Sequence, residues 1–259
     1  MLDKQYHISY TAVMDDQTIS RVALSSQAYE ILRTRITTLE LKPGTVINVG
    51  RLSEELNISP IPIREALKQL TERGLVEGKH SRSYRVVSLS DQRVQEIFDV
   101  RILLETHALK TAIRAAPREL IERTYVLVKE LAQTTMTGSA LRRAVDEAEE
   151  LLHGECIMGH SGNDFLRDLY RKMNDFVAIV RHIDCQPDDT LNEHTEIMKA
   201  FLDRDLARTR RLLVQHLENS KAASLPIPKE PAEWVAKAGA VAAATENGTD
   251  ESMRSNAQV

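Results

Sequence analysis

The sequence predicts a mostly α-helical protein, with an N-terminal winged helix-turn-helix followed by an all-α antiparallel bundle. Its 259 residues are 42% hydrophobic but only 4% aromatic, which favours packing of aliphatic side chains between helices over a β-sandwich. Residues 51–75 contain two short segments with helical apolar spacing, and no strand-like run is found from about 90 to 220. A chain of this length makes one large domain or two ordinary ones.

The helix-turn-helix is predicted from residues 51–75, in which two short helices flank a turn at 57–59. Ser59 is placed to cap the second helix, with Pro60 at the first helical position, where its missing N–H costs nothing. Gly74 ends this second helix. The apolar faces of the two helices are made by Leu52, Leu56, Ile63, Leu67 and Leu70.

Two interpretations fit this spacing: a helical hairpin inside a larger core, or a DNA-binding unit. The residues after Gly74 favour DNA binding, because a basic, polar tip at 78–83 leads into the β-prone segment 84–87, as in a wing. The second helix would enter the major groove, where the fork of Arg64 matches O6 and N7 of guanine. The predicted DNA contacts are Arg64 at a base, Ile61 on the same helix, Ser59, Arg51 and Lys68 near the backbone, and His80 and Arg82 at the wing tip.

The charge is divided unequally along the chain. Residues 25–88 contain ten Lys and Arg against seven Asp and Glu, so they carry a net charge of +3. The formal net charge of the whole chain is −4, so the remaining residues carry −7. A locally basic module on an acidic body can bind phosphate at one place without the whole protein adhering to nucleic acid.

The segment from Ser59 to Val76 follows the pattern S-x-x-P-[IV]-R-E-A-L-x-x-L-x-x-x-G-L-[VI] and resembles the DNA-binding domain of GntR-type bacterial transcription regulators. The resemblance extends upstream through residues 29–32 and 41–48, and downstream through the wing. The family usually has Arg directly after the Ser, where this chain has Pro60. One base-reading side chain is therefore missing, and the family's operator preference does not carry over.

The predicted organisation is a disordered N-terminus (1–20), a DNA-binding domain (21–88), a helical effector-binding and dimerisation domain (89–221) and a disordered tail (222–259). The first helix is expected from Ser25, and Ser90 is a candidate cap for the first bundle helix. The bundle helices are predicted near 90–115, 117–134, 140–160, 163–183, 188–203 and 206–220. Trp234 could dock as part of a short helix, but the polar, Ala-rich composition around it favours a solvated tail.

Four residues of the bundle form a candidate metal site. Glu149 and His153 are four apart and share one face of a helix, while His194 and His216 each lie among apolar residues at helical spacing. Imidazoles that point into a bundle interior need partners, and three of them with a carboxylate suit a divalent transition metal. Spacing alone leaves open whether they converge, and each histidine also has the ordinary interpretation of a core or surface residue.

The same segment resembles the helical FCD effector domain found in the FadR branch of the GntR family. That domain's pattern is matched by Glu149-x-x-x-His153, by Ser161-Gly162-Asn163, by Glu193-His194-x-x-Ile197 and by His216-Leu217. The resemblance implies that His153, His194 and His216 ligate a metal, with zinc as first choice and nickel, manganese or iron as alternatives. Glu149 stands where the family usually has Asp, so the reach of this ligand differs.

Arg101 has two interpretations. It lies on the inward stripe of its helix, where a cation is costly unless it is paired, and Glu105 one turn further on is a ready partner. In FCD domains an Arg at the matching position often binds a carboxylate effector, and the resemblance implies that role here. His160, His182 and Cys156 are further candidates for groups around the metal, although an ordinary packing or surface role is the favoured interpretation of each.

These features together predict a homodimeric transcription regulator that binds a pseudo-palindromic, double-stranded operator and senses a small carboxylate metabolite at the metal. The alternatives are a metal-dependent hydrolase fused to a DNA-binding module and a regulator whose metal is purely structural. No apolar run approaches the length of a membrane span, and two cysteines without a CxxC spacing fit a reducing cytoplasm. The sequence leaves the sign of regulation open.

Overall fold

The computed structural model describes residues 16–79, 83–136, 138–182, 187–229 and 233–234, and it confirms the predicted fold class. The N-terminal domain is built from α1 (Asp16–Thr37), β1 (Val46–Ile47), α2 (Val49–Leu56), α3 (Pro60–Glu72), β2 (Val76–Lys79) and β3 (Ser83–Val86). The helical domain contains α4 (Asp91–Ala115), α5 (Arg118–Leu131), α6 (Gly138–Glu149), a π-helical segment (Glu150–Met158), α7 (Asp164–Arg181), α8 (Pro187–Leu202) and α9 (Leu206–Ser224).

The N-terminal domain packs α1 against α3 and pairs its strands in the order β1-β3-β2, all antiparallel. Asn57 ends α2 in the left-handed conformation with φ 53°, and α3 begins at Pro60 as predicted. The stripe of Ile63, Leu67 and Leu70 is fully buried, so the opposite side of α3 is left to solvent. β1 was not predicted, because two residues that pair with a strand far along the chain leave no local periodicity.

The first helix is longer than the sequence predicts. It begins at Asp16 rather than near Ser25, so the expected disorder over 1–20 is wrong for residues 16–20, and residues 1–15 lie outside the described part of the chain. A weakly amphipathic helical extension gives little apolar periodicity by which it could be recognised.

The helical domain is an antiparallel bundle in which α4 packs against α7, α9 and the π-helical segment, while α8 packs against α5 and α9. Ser90 caps α4, since its side chain accepts a hydrogen bond from the backbone N–H of Arg93. Among the residues that the structure describes, no helix is both long and apolar enough to cross a membrane.

A π-helical segment replaces the second half of the helix predicted at 140–160. Its wider turn is visible at its end, where the N–H of Gly159 donates to the carbonyl of Gly154, five residues back, at 2.7 Å. Gly159 at this end is restricted by the backbone, because a Cβ there would lie 2.6 Å from the carbonyl oxygen of Glu155, whereas a Cβ at Gly154 would meet only the movable carboxylate of Glu150. The change of pitch falls between Glu149 and His153 and sets their relative direction.

The predicted tail contains ordered contacts that composition did not indicate. Helix α9 continues to Ser224, past the expected boundary at 221, and Ile227 and Trp234 are buried at 4% and 1% exposure. Both belong to the apolar cluster that joins the N-terminal domain to α4 and α7. The expectation of a solvated Trp234 is therefore wrong, because its partners are distant in sequence; the prediction for 235–259 lies outside the described residues.

Candidate functional site

The structure brings the four predicted metal ligands together inside the bundle. Glu149 is the last residue of α6, His153 lies in the π-helical segment, His194 lies in α8 and His216 lies in α9. All four are buried, and one ligand atom from each falls within 4.8 Å of the others. Three separate helices and the π-helical segment are thus required to form the cluster.

The distances within the cluster suit a single small cation. Glu149 Oε1 lies 3.1 Å from His194 Nε2, and Glu149 Oε2 lies 3.9 Å from His153 Nε2. The Nε2 atoms of His194 and His216 are 3.2 Å apart. The ring centroid of His153 lies 5.4 Å from the ring centroid of His194 and 5.3 Å from that of His216.

Two further carboxylates orient the imidazoles. His153 Nδ1 lies 2.6 Å from Glu105 Oε2, and His216 Nδ1 lies 2.8 Å from Glu193 Oε2. An ionised carboxylate only accepts, so Nδ1–H is the donor in each pair and Nε2 faces the cluster with its lone pair. This carboxylate–histidine arrangement is the one that commonly supports metal-bound imidazoles.

The electrostatics of the cluster favour the protonation states that ligate metals. Burial lowers the pKa of His153, and burial together with His194 lowers the pKa of His216 to about 4. Burial would raise the pKa of Glu149, but His153 and Arg181 hold it well below its usual range. Near neutral pH, His153 and His216 are therefore neutral and Glu149 is ionised.

The side chains of the cluster are chemically suited to bind a metal. His153 Nε2 is buried without a hydrogen-bond partner in the structure, as a ligand atom reserved for a cation would be. Three imidazole nitrogens and one carboxylate oxygen match the preferences of divalent transition metals, and zinc accepts this set in tetrahedral geometry. The longer Glu149 side chain reaches the cluster in spite of its extra methylene.

Arg101 is almost fully buried, with 2% of its side chain exposed, and both of its sequence-based interpretations have a counterpart in the structure. Its Nε donates to Glu105 Oε1 at 2.6 Å, which is the intrahelical pair. Its Nη2 donates to Glu149 Oε2 at 3.3 Å, so the guanidinium also touches the cluster. Burial opposes the charged form, but Glu105, with Tyr170 and Glu149 nearby, raises the pKa of Arg101.

Sequence reasoning missed three residues around the cluster. Glu193 and Glu105 orient histidines, and Arg181 of α7 contacts Glu149 Oε2 at 3.1 Å through Nη1. Glu193 directly precedes His194 and Glu105 follows Arg101 by one turn, so both had a local signal. No local signal in the sequence indicated Arg181, because it comes close to Glu149 only when the helices pack together.

The three suggested outer residues have other surroundings. Cys156 is buried with its Sγ 3.5 Å from Thr124 Oγ1, and burial raises the pKa of its thiol to about 11. His160 Nδ1 lies 2.9 Å from the carbonyl of Glu155. His182 Nδ1 lies 2.8 Å from the carbonyl of Ala178. The structure places none of these contacts at the ligand set.

The solvent-facing side of α3 carries the residues predicted to contact DNA. Ser59 occupies the cap position but makes no side-chain capping hydrogen bond, and Ile61 is 52% exposed. Arg64 and Lys68 are also exposed on α3, as is Arg51 on α2. His80 and Arg82 lie outside the described residues.

A winged helix-turn-helix with an exposed recognition helix, joined to a helical bundle with a buried His and Glu cluster, defines a DNA-binding transcription regulator. The comparisons agree: residues 24–86 match the family model of bacterial regulatory proteins of the gntR family, and residues 96–219 match the model of the FCD domain. The chain belongs to the GntR family and carries an FCD domain.

Its relatives are transcription regulators. The chain is 26% identical to the HTH-type transcriptional regulator YdhC of Bacillus subtilis over 202 residues, or 74% of this chain and 87% of the relative. It is 26% identical to the HTH-type transcriptional repressor GlaR of Escherichia coli over 204 residues, or 74% and 92%. The solved structure of E. coli McbR/YncC shares the fold, with a TM-score of 0.66 and 19% identity over 78% of this chain and 96% of that one.

Proposed function

We propose that this regulator binds operator DNA as a homodimer and senses a small carboxylate at a divalent metal in its helical domain. The observation that carries the proposal is the convergence of Glu149, His153, His194 and His216. These residues would hold the metal, while Glu105 and Glu193 would keep two imidazoles in the ligating tautomer. When bound, the metal supplies a positive, Lewis-acidic centre that attracts carboxylate oxygens.

Arg101 supports a carboxylate effector. Its guanidinium is charged, buried and next to Glu149, so an incoming carboxylate would meet a bidentate donor beside the metal. The effector would share that guanidinium with Glu105 and Glu149. Binding would therefore redistribute contacts on α4 and α6 as well as fill the site.

We propose that the effector enters from a cleft of about 650 Å³ between α1, the end of α3, the π-helical segment and α7, which Glu150 and Gly154 line on either side of His153 in the sequence. Tyr170 lines this cleft and is 3% exposed. Burial raises the pKa of Tyr170 well above its usual range, and the charges of Glu105 and Glu149 contribute to the same shift. We propose that Tyr170 forms the partition between solvent and the effector.

Operator recognition is assigned to the exposed side of α3. Arg64 would read a base in the major groove, with Ile61 beside it, while Ser59, Lys68 and Arg51 would contact the backbone. The E. coli relatives GlaR and RspR are named transcriptional repressors, which supports repression as the sign of regulation.

We propose that the interface of the homodimer is formed by the outer side of α4 and α7. These two helices pack against each other and expose apolar side chains, of which Leu103 is 69% and Phe165 is 74% exposed. Val100 and Leu169 are exposed on the same helices. An apolar surface of this kind is typical of protein contacts, and a dimer would present two recognition helices to a two-fold operator.

The proposal is tested by elemental analysis of the purified wild type, His153→Ala and His194→Ala. About one transition metal per chain in the wild type, lost in both variants, is expected, since each variant removes one of four ligands. His107→Ala, which alters an exposed histidine of α4, is the matched control and should keep its metal. Equal metal content in all four proteins would overturn the ligand assignment.

The sensing step needs a separate measurement. Operator affinity of the metal-loaded protein is measured with a panel of small mono- and dicarboxylates, on DNA selected from a random duplex library. At least one acid should change the affinity several-fold in the wild type and not in Arg101→Gln. If chelation lowers the melting temperature but no acid changes operator affinity, the metal is structural and the sensing proposal fails.

A further inference from the structure

A second cleft, of about 560 Å³, lies where the helical domain meets the connection between α1 and β1. We infer that this cleft binds a phosphate monoester, and that the ligand contacts both domains. The residues that carry the inference are Lys42, Gly138, Arg142, Arg143 and His182. Its volume is within the range of small-molecule sites in proteins.

The cleft is positively charged. Lys42 approaches from the N-terminal domain, while Arg142 and Arg143 approach from α6. Asp146 is the single acid among the described lining residues, and Arg181 already pairs with it at 2.9 Å. The three cations therefore face the cleft with no comparable negative charge to balance them, which favours an anionic ligand.

The N-terminus of α6 points at the same place. This helix of 12 residues begins at Gly138, and the backbone N–H groups of a first helical turn are donors that the helix itself does not use. The space beside Gly138 is open, since a Cβ built there would meet nothing within 4 Å. The helix dipole adds to the attraction for an anion.

An unsatisfied imidazole supplies the independent observation. His182 is 6% exposed, and its Nδ1–H donates to the carbonyl of Ala178, yet its Nε2 is buried without a hydrogen-bond partner in the structure. The nearest acid, Asp146 Oδ2, is 3.9 Å away. A buried polar atom of this kind calls for a partner that the described residues do not provide.

A phosphate monoester satisfies this combination better than a carboxylate does. Burial lowers the pKa of His182, so Nε2 is an acceptor, and a phosphate monoanion carries a hydroxyl that can donate to it. Its remaining oxygens can accept from guanidinium groups and from backbone N–H groups together. Leu39 and Trp234 also line the cleft and offer apolar surface to the organic part of the ligand.

The cleft is separate from the metal cluster. None of the four cluster residues lines the cleft; Gly138 stands about 16 Å from Glu149 at the other end of α6, and Asp146 is the lining residue of α6 nearest to it. Lys42 belongs to the N-terminal domain and the two arginines belong to the helical domain. A ligand held by all three would therefore favour one relative orientation of the two domains. The inference does not depend on the proposed metal or carboxylate.

Trp234 makes the test direct, because it is the single tryptophan of the chain and lines the cleft. Its fluorescence is followed during titration with inorganic phosphate and with glycerol 3-phosphate at constant ionic strength. Glycerol and succinate are titrated in parallel. A saturable change is expected with the two phosphates, none with glycerol, and at least tenfold weaker binding of succinate.

Matched variants locate the response. Arg142→Gln with Arg143→Gln should weaken phosphate binding at least tenfold, whereas Arg210→Gln with Arg211→Gln, which removes two exposed arginines from α9, should leave it unchanged. Lys42→Gln, on the connection, is a second test should the first double variant unfold. His194→Ala should retain the response, which separates this cleft from the metal cluster.

Three results would overturn the inference. The first is no saturable response to either phosphate, and the second is the same affinity in the Arg142 and Arg143 variant as in the wild type. The third is loss of the response in His194→Ala with its fold intact, since phosphate would then be bound at the metal cluster.

Discussion

Asp175 Oδ2 lies 3.2 Å from Arg73 Nη2, which ties the middle of α7 to the residue that ends the recognition helix. The other carboxylate oxygen, Oδ1, accepts from Nε of Arg33 at 2.8 Å and lies 2.6 Å from its Nη2. One fully buried carboxylate of the helical domain therefore holds two arginines of the DNA-binding domain. The same helix carries Arg181 against Glu149, so α7 contacts both the His and Glu cluster and the end of α3.

Asp175→Asn should weaken this connection. The buried carboxylate charge is lost while the shape is kept, and we expect a stability loss of about 1–3 kcal/mol, less than for a fully buried pair because both arginines are about one-third exposed. Urea unfolding measures the loss, and the effector-dependent change in operator affinity should shrink with it. Asp168→Asn, on an exposed position of α7, should change stability by less than about 0.5 kcal/mol.

Arg64→Ala should reduce binding to a selected operator by about 1–3 kcal/mol and relax discrimination at one base position. Lys68→Ala is the matched change on the same exposed side, and it should weaken operator and random DNA alike, with a smaller salt dependence. Titrations at several salt concentrations separate the two effects. Equal losses on both DNAs for Arg64→Ala would assign this residue to the backbone instead.

Glu105→Gln should lower metal affinity about 10–100-fold without removing a ligand. The amide no longer enforces donation from His153 Nδ1, so the ligating tautomer and the ring direction are less well held. Competition with a chromophoric chelator measures the affinity. Glu122→Gln alters an exposed glutamate that pairs with Arg118 on α5, and it should leave the metal affinity unchanged.

Leu103→Glu together with Phe165→Glu should convert the dimer to a monomer. Charges placed on an apolar contact must be desolvated when two subunits meet, which opposes association. Light scattering after size exclusion measures the mass. Val126→Glu changes an exposed apolar residue of α5 and should stay dimeric; monomers in the wild type would remove the basis of the dimer proposal.

Local signals predicted the DNA-binding domain well. Pro60 begins α3 as expected, and the buried stripe of Ile63, Leu67 and Leu70 follows directly from its periodicity. Within the cluster, only Glu149 and His153 share a local spacing. The convergence of the four ligands was implied by the resemblance to FCD domains and not by spacing, since it depends on how α8 and α9 pack.

The features that were missed are tertiary. Trp234 is buried by residues far away in the chain, and only the tertiary fold brings Arg181, at the end of α7, to Glu149. The π-helical segment was missed because apolar spacing does not distinguish its pitch from that of an α-helix over so few residues. Arg101 could be placed inward by periodicity, but its second partner, Glu149, could not.

The π-helical segment makes this protein unusually sensitive to length at one place. Removing a single residue between Glu150 and Met158 would allow an ordinary α-helical pitch, with no loss of backbone hydrogen bonding. A deletion between Glu150 and Leu152 would also move His153 from four residues after Glu149 to three, and so out of the position that the π-helical pitch gives it. Among natural or engineered variants, we therefore expect one-residue deletions in this segment to abolish metal binding more often than substitutions do.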